Sequence, residues 1–89
     1  LGVNTSADTT NRFSVKSPAS LFDHAGSDHN LKVNKAAGAD TASLLFQTGY
    51  SGRAEFGTVG DDNFRIKVSP DGTAWTDALT IDKTNEFGG

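Results

Sequence analysis

Asn63-Phe64-Arg65-Ile66-Lys67-Val68, followed by Ser69-Pro70-Asp71-Gly72, is the stretch on which the fold turns. Phe64, Ile66 and Val68 alternate with Asn63, Arg65 and Lys67, the period of a strand with one covered face. Pro70 presets φ for the second position of a turn, Asp71 tolerates the third, and Gly72 accepts the left-handed backbone that follows. The pattern predicts a hairpin that returns through Trp75 to Leu79 and Ile81, which alternate with Thr80 and Asp82.

The same alternation recurs outward along the chain. Phe13 and Val15 alternate with Arg12, Ser14 and Lys16, and Leu31 and Val33 with Lys32 and Asn34. Leu44-Leu45-Phe46 is apolar on both faces, which predicts a strand covered on both sides. Ala54 and Phe56 beside Arg53 and Glu55 predict a shorter strand. Turn formers fill the gaps at Gly26-Ser27-Asp28-His29-Asn30, Thr48-Gly49-Tyr50-Ser51-Gly52 and Gly60-Asp61-Asp62, and Ala36-Ala37-Gly38-Ala39 reads as a further turn. No window repeats apolar residues at helical spacing, and the only Glu residues are Glu55 and Glu86. Asn11–Lys16, Asn30–Lys35 and Asn63–Lys67 share a faint pattern, Asn followed by alternating apolar and basic residues. An internal duplication and the common look of exposed antiparallel strands both account for it.

Composition restricts the function classes. With 89 residues the chain is one domain at most. Leu, Ile, Val and Phe number 19 of 89, so the core is small. A net charge of −3 removes the basic face that a nucleic-acid binder needs. There is no Cys to form a disulfide or a thiolate zinc site. No stretch approaches the roughly 18 apolar residues of a membrane span. The chain opens at Leu1 without a leader, and the expectation is a piece of something longer. A domain this small and this poor in apolar residues is marginal alone, and without staples oligomerisation is the usual remedy.

Asp40-Thr41-Ala42-Ser43-Leu44-Leu45-Phe46-Gln47-Thr48-Gly49-Tyr50-Ser51-Gly52-Arg53-Ala54-Glu55-Phe56-Gly57 resembles the C-terminal region of phage-type tail fibre and head spike proteins, found also in prophages and gene transfer agents. So do Asp61-Asp62-Asn63-Phe64 and Lys67-Val68-Ser69-Pro70-Asp71-Gly72-Thr73-Ala74-Trp75-Thr76. Leu1-Gly2-Val3-Asn4, Asn11-Arg12-Phe13 and Ser17-Pro18-Ala19-Ser20-Leu21-Phe22 extend the likeness over nearly the whole chain. The ending Ala78-Leu79-Thr80-Ile81-Asp82 is similar to the strand-then-turn unit of trimeric fibre stalks. The resemblance implies a homotrimeric, β-rich virion appendage, extracellular, that joins other virion or fibre proteins and contacts host cell-surface polysaccharide. It implies no catalytic residue. The upstream attachment module of the family is not in these residues, and Glu86-Phe87-Gly88-Gly89 carries no tip domain.

The candidate sites are few. His24 and His29 beside Asp23 and Asp28 are the only His/carboxylate cluster, but residues five apart on a strand face opposite ways, and the set is short of closed four-ligand coordination. Asp28, Asp61 and Asp62 could take Ca²⁺, yet they lack regular acidic spacing, and turn-stabilising Asp is the simpler role. Ser20 or Ser27 as a nucleophile lacks the elbow signature. The expectation is no metal, no cofactor and no catalysis, since the Asp residues sit mostly in turns and form no convergent pair. Ser69-Pro70-Asp71-Gly72-Thr73-Ala74-Trp75 resembles the Asp-box turn of sialidases, with Asp and Gly adjacent here instead of one apart. The box is a hairpin device, so Pro70, Asp71 and Gly72 are read as a structural turn. Trp75 either stacks on a sugar or packs beneath that hairpin, and packing is favoured because so poor a core can hardly spare it. Tyr50, at a loop tip, and Arg53 behind it are the candidate glycan contacts.

The expected fold is all-β, a small antiparallel β-sandwich or β-prism-like module completed in a homotrimer. It occupies residues 1–89, with a lead-in over about 1–10 and an exit over about 83–89. The expected function is structural and adhesive. The alternatives are an accessory non-catalytic domain of a glycan-degrading spike and a small capsid-decorating protein.

Overall fold

The computed structural model describes residues 1–84; the last part of the expected exit, residues 85–89, lies outside them. Among the described residues all regular structure is β, in two compact units divided after Leu31. In the first unit, β1 (Gly2–Val3) pairs in parallel with β2 (Ser14–Val15). The intervening loop is closed by Asp8, whose carboxylate accepts the backbone N–H of Thr10 at 2.9 Å and that of Asn11. Residues 17–31 continue without strands.

The second unit is a four-stranded antiparallel meander of β3 (Thr41–Thr48), β4 (Ser51–Val59), β5 (Phe64–Val68) and β6 (Thr76–Ile81), in that spatial order. Residues directly opposite in antiparallel strands share a face. The register therefore sorts the side chains into rows that cross the whole sheet. One face carries Ala42-Thr58-Phe64-Ile81, Leu44-Phe56-Ile66-Leu79 and Phe46-Ala54-Val68-Thr76. These twelve positions include no charge. Phe46, Phe56 and Phe64 form an edge-to-face diagonal across three strands, with centroids 5.7 and 6.1 Å apart. The opposite face carries Ser43-Gly57-Arg65-Thr80 and Leu45-Glu55-Lys67-Asp77, where Arg65 and Lys67 pair with Asp77 and Glu55 accepts from Ser43.

The alternation over Phe64–Val68 is realised, but its burial is inverted. Arg65 and Lys67 are the better covered residues, while Phe64, Ile66 and Val68 are exposed. Among the described residues no hydrophobic side chain is buried; on the apolar face Phe56 and Ile81 are half-buried, and the other six large side chains are exposed, from 36 % at Ile66 to 53 % at Phe46. Salt bridges explain the inversion. Arg65 reaches Asp61 at 2.5 Å and Asp77 at 2.9 Å, so the polar face is shielded by its own side chains and the apolar face by nothing in its sheet.

Several expectations are corrected. Leu44-Leu45-Phe46 lies in an edge strand, and all three residues stay about half exposed, so β3 is not covered on both sides. The strand around Ala54 and Phe56 is the longest, nine residues, because it is central and paired on both sides. Residues 31–34 form no strand, having no partner to pair with. The three Asn-to-Lys segments accordingly become a two-residue bridge, an irregular run and a five-residue strand, which are not repeats of one structure.

Lys35 closes the start of the sheet. Its ammonium donates to the carbonyls of Gly38 and Asp40 at 3.1 Å each, of Thr58 at 3.5 Å and of Asp61 at 2.5 Å, and pairs with the Asp62 carboxylate at 3.2 Å. The side chain is only 11 % exposed. It holds the segment before β3 to the end of β4 and to the β4–β5 turn.

The hairpin of β5 and β6 has the expected turn. Gly72 lies at φ +87°, and a Cβ there would strike Ser51 Oγ. Gly72→Ala is expected to lower stability by roughly 1 kcal/mol or more, read as a lower midpoint in thermal melts.

Candidate functional site

The β3–β4 hairpin and the β5–β6 turn place the candidate residues at one end of the sheet. Thr48 pairs with Ser51, leaving Gly49 and Tyr50 as a two-residue loop with φ of +54° and +68°. Positive φ at both central residues makes a twist that suits a hairpin but normally calls for Asn or Gly. A bulky aromatic there is costly, of the order of 1 kcal/mol or more. Tyr50 nevertheless occupies it with 93 % of its surface exposed. Gln47 Nε2 donates to the Tyr50 carbonyl at 3.4 Å and holds the turn.

Arg53 is the extra residue of a bulge: Phe46 faces Ala54 while Gln47 faces Gly52. Its Nη1 donates to Ser51 Oγ at 2.7 Å and to the Gly52 carbonyl at 2.9 Å. Arg53 is half-buried and partly committed to the hairpin, so Tyr50 is the member of the pair presented to solvent.

Trp75 takes its packing role. Its indole lies against Gly52, where a Cβ would come within 2.7 Å of the ring, and its Nε1 donates to the Gly72 carbonyl at 3.3 Å. The ring is half-buried and bridges the two hairpins. Asp71 organises the turn beneath it. Its Oδ1 accepts the backbone N–H groups of Ala74 and Thr73, both at 2.9 Å, and Ser69 Oγ accepts those of Gly72 at 2.8 Å and Asp71 at 3.3 Å. Ser51 Oγ donates to the Asp71 carbonyl at 3.1 Å. Ser69 is the one buried residue among those described. The order Ser, Asp, Gly, Trp pointed to a hairpin turn but not to the side-chain hydrogen bonds of Ser69, Asp71 and Ser51 within it; the bulge at Arg53 left no sequence signal.

The remaining candidates do not converge. His24 sits in the irregular run, its Nδ1 accepting the Gly26 N–H at 2.9 Å, and His29 leans on Phe22 with ring centroids 6.3 Å apart. Among the described residues no three His, Asp or Glu side chains gather into a metal-binding group. Asp61 is a turn and ion-pair residue: it accepts from Arg65 and from the Asn63 N–H at 3.0 Å. Val33, Ala42, Leu44, Phe56, Thr58 and Phe64 line a shallow open depression of about 310 Å³ on the apolar face. No helix among the described residues is long and apolar enough to cross a membrane.

No protein-family model matches the chain, and no curated protein or solved structure matches it.

The carboxyl groups set the acid response. The N–H groups of Ala74 and Thr73 hold Asp71 below its ordinary 3.8, and the Arg65 guanidinium does the same for Asp61. A depressed folded-state pKa contributes stability above the unfolded value, which is lost as pH falls through the folded one. Stability is expected to be level from neutral pH down to about 5 and to fall below about 4. Asp71→Asn should flatten that acid limb, measured as thermal midpoint against pH.

Proposed function

We propose that the chain is a structural and adhesive module of a phage-type fibre or spike, working as a parallel homotrimer on the outside of a virion. The observation that carries this reading is the uncharged, uncovered apolar face of a four-stranded sheet in a chain with no buried hydrophobic side chain among the described residues. A folded chain in water needs that face covered. Three such sheets facing a common axis make a β-prism in which each copy supplies one wall and the charged faces point outward. The resemblance of residues 40–57 and 61–76 to fibre and spike C-terminal regions supports the same reading.

Light scattering of the purified chain at micromolar concentration is expected to give the mass of three copies, with a concentration-dependent melting midpoint. A monomer that melts cooperatively overturns the reading.

Adhesion is assigned to Tyr50. An exposed ring at a hairpin tip can stack on a sugar, while Arg53 and the loop amides hold hydroxyls or an acidic group. One aromatic and one Arg give affinity of the order of millimolar, multiplied by copy number on a particle. Tyr50 also strains its turn, so a contact role and a structural role are separable. Tyr50→Gly is expected to raise the melting midpoint, by about 1 kcal/mol of stability, and to abolish attachment of a multivalent form to host cells. Undiminished attachment removes the loop as the receptor site.

A further inference from the structure

The meander ends in two free edges. Among the described residues no backbone hydrogen bond reaches the outer side of β3 or of β6. β3 is eight residues long and carries no charge, no Pro and no extra residue of its own. Such an edge is a template for another strand, and solvent-facing edges are normally blunted by one of those devices. β6 has one charge, Asp77, but Arg65 and Lys67 draw it onto the polar face at 2.9 and 3.6 Å. Ala78 is an extra residue opposite the Ile66–Lys67 step, a bulge that bends β6.

Resting on the trimeric reading above, we infer that β3 of each copy pairs with β6 of the next, joining the three sheets edge to edge into a closed ring. Four features of the chain select a second copy as the occupant. β3 and β6 run antiparallel within each sheet, so β3 beside the next copy's β6 continues the alternation unbroken. A head-to-tail contact of this kind closes under a three-fold axis. The bulge in β6 supplies curvature where one sheet turns into the next. Finally, six large side chains of the apolar face stand about half exposed. Two of them, Phe46 and Phe64, are aromatics of roughly 150–250 Å² each, and the six together offer several hundred Å² per copy toward the roughly 800 Å² per partner of a stable interface.

The natural chain has no Cys, which makes thiol cross-linking unambiguous. Ser43 on β3 and Thr80 on β6 lie in one row of the polar face, at opposite edges. Within a copy they stand about three strand spacings, or roughly 14 Å, apart, beyond a disulfide's reach. Thr80→Cys is mixed and reassembled in turn with Thr41→Cys, Ser43→Cys and Leu45→Cys, which covers a two-residue slip either way, and then oxidised. One of the three mixtures is expected to yield a covalent dimer, and each variant alone only monomer on a non-reducing gel. A particle of three copies with no cross-link in any mixture overturns the edge pairing and leaves the trimer standing. Cross-linking of a β3 variant with itself overturns it in favour of a two-fold β3–β3 contact. A monomer overturns both readings. Hydrogen exchange on the unsubstituted assembly gives a check free of substitutions: β3 amides that do not bond β4 are expected to be protected, and fast exchange there overturns the inference.

Discussion

The constraint on which the rest depends is the register of a meander that puts twelve uncharged side chains on one face and gives that face no lid within its sheet. In an ordinary small domain the alternating apolar residues of a strand are its most protected. Here Phe64, Ile66 and Val68 are less protected than the Arg and Lys between them. The energy that usually comes from a core must come from burial that one sheet does not supply.

The polar face is, by contrast, finished. Arg65 is clasped between Asp61 and Asp77, Lys67 leans on Asp77, and Ser43 donates to Glu55 at 2.5 Å. Exposed ion pairs contribute little each. Their use here is positional: they neutralise the Arg and Lys of β5 on the side that faces water and tie β5 to β6 and to the turn before it. Lys35 performs a similar service with backbone carbonyls instead of carboxylates, and joins the entry to β3 with the turn after β4. A turn rich in carbonyls is thereby organised by a cation belonging to the chain itself.

Alternation made β5 and β6 readable from the residues, and the place of the turn between them was readable because Pro70 fixes φ, Asp71 tolerates the next position and Gly72 takes the left-handed one; the hydrogen bonds of Ser69, Asp71 and Ser51 that organise it were not. Leu44-Leu45-Phe46 was legible as strand but not as edge. An apolar run on both faces looks the same whether neighbours cover it or water does, and the difference lies in pairing across the sheet. Residues 31–34 carry the same alternation as β5 and form no strand, since a strand needs a partner as well as a pattern. At the hairpin tip the sequence pointed to Tyr50 through its neighbours Gly49 and Gly52. It could not show the commitment of Arg53 to Ser51, which depends on a bulge with no sequence signal. Trp75 followed from scarcity: a chain with one indole spends it on packing.

The uncovered apolar face has a thermal consequence. Hiding hydrocarbon from water lowers heat capacity, and the driving force near room temperature is entropic, fading as the temperature drops. Whatever covers Leu44, Phe56, Ile66 and Leu79 is therefore held least firmly in the cold and gains strength with moderate warming. Excluded salts such as sulfate act in the same direction, because charges take no part on that side. Cold buffer of low ionic strength is the condition that least favours hiding that face from water.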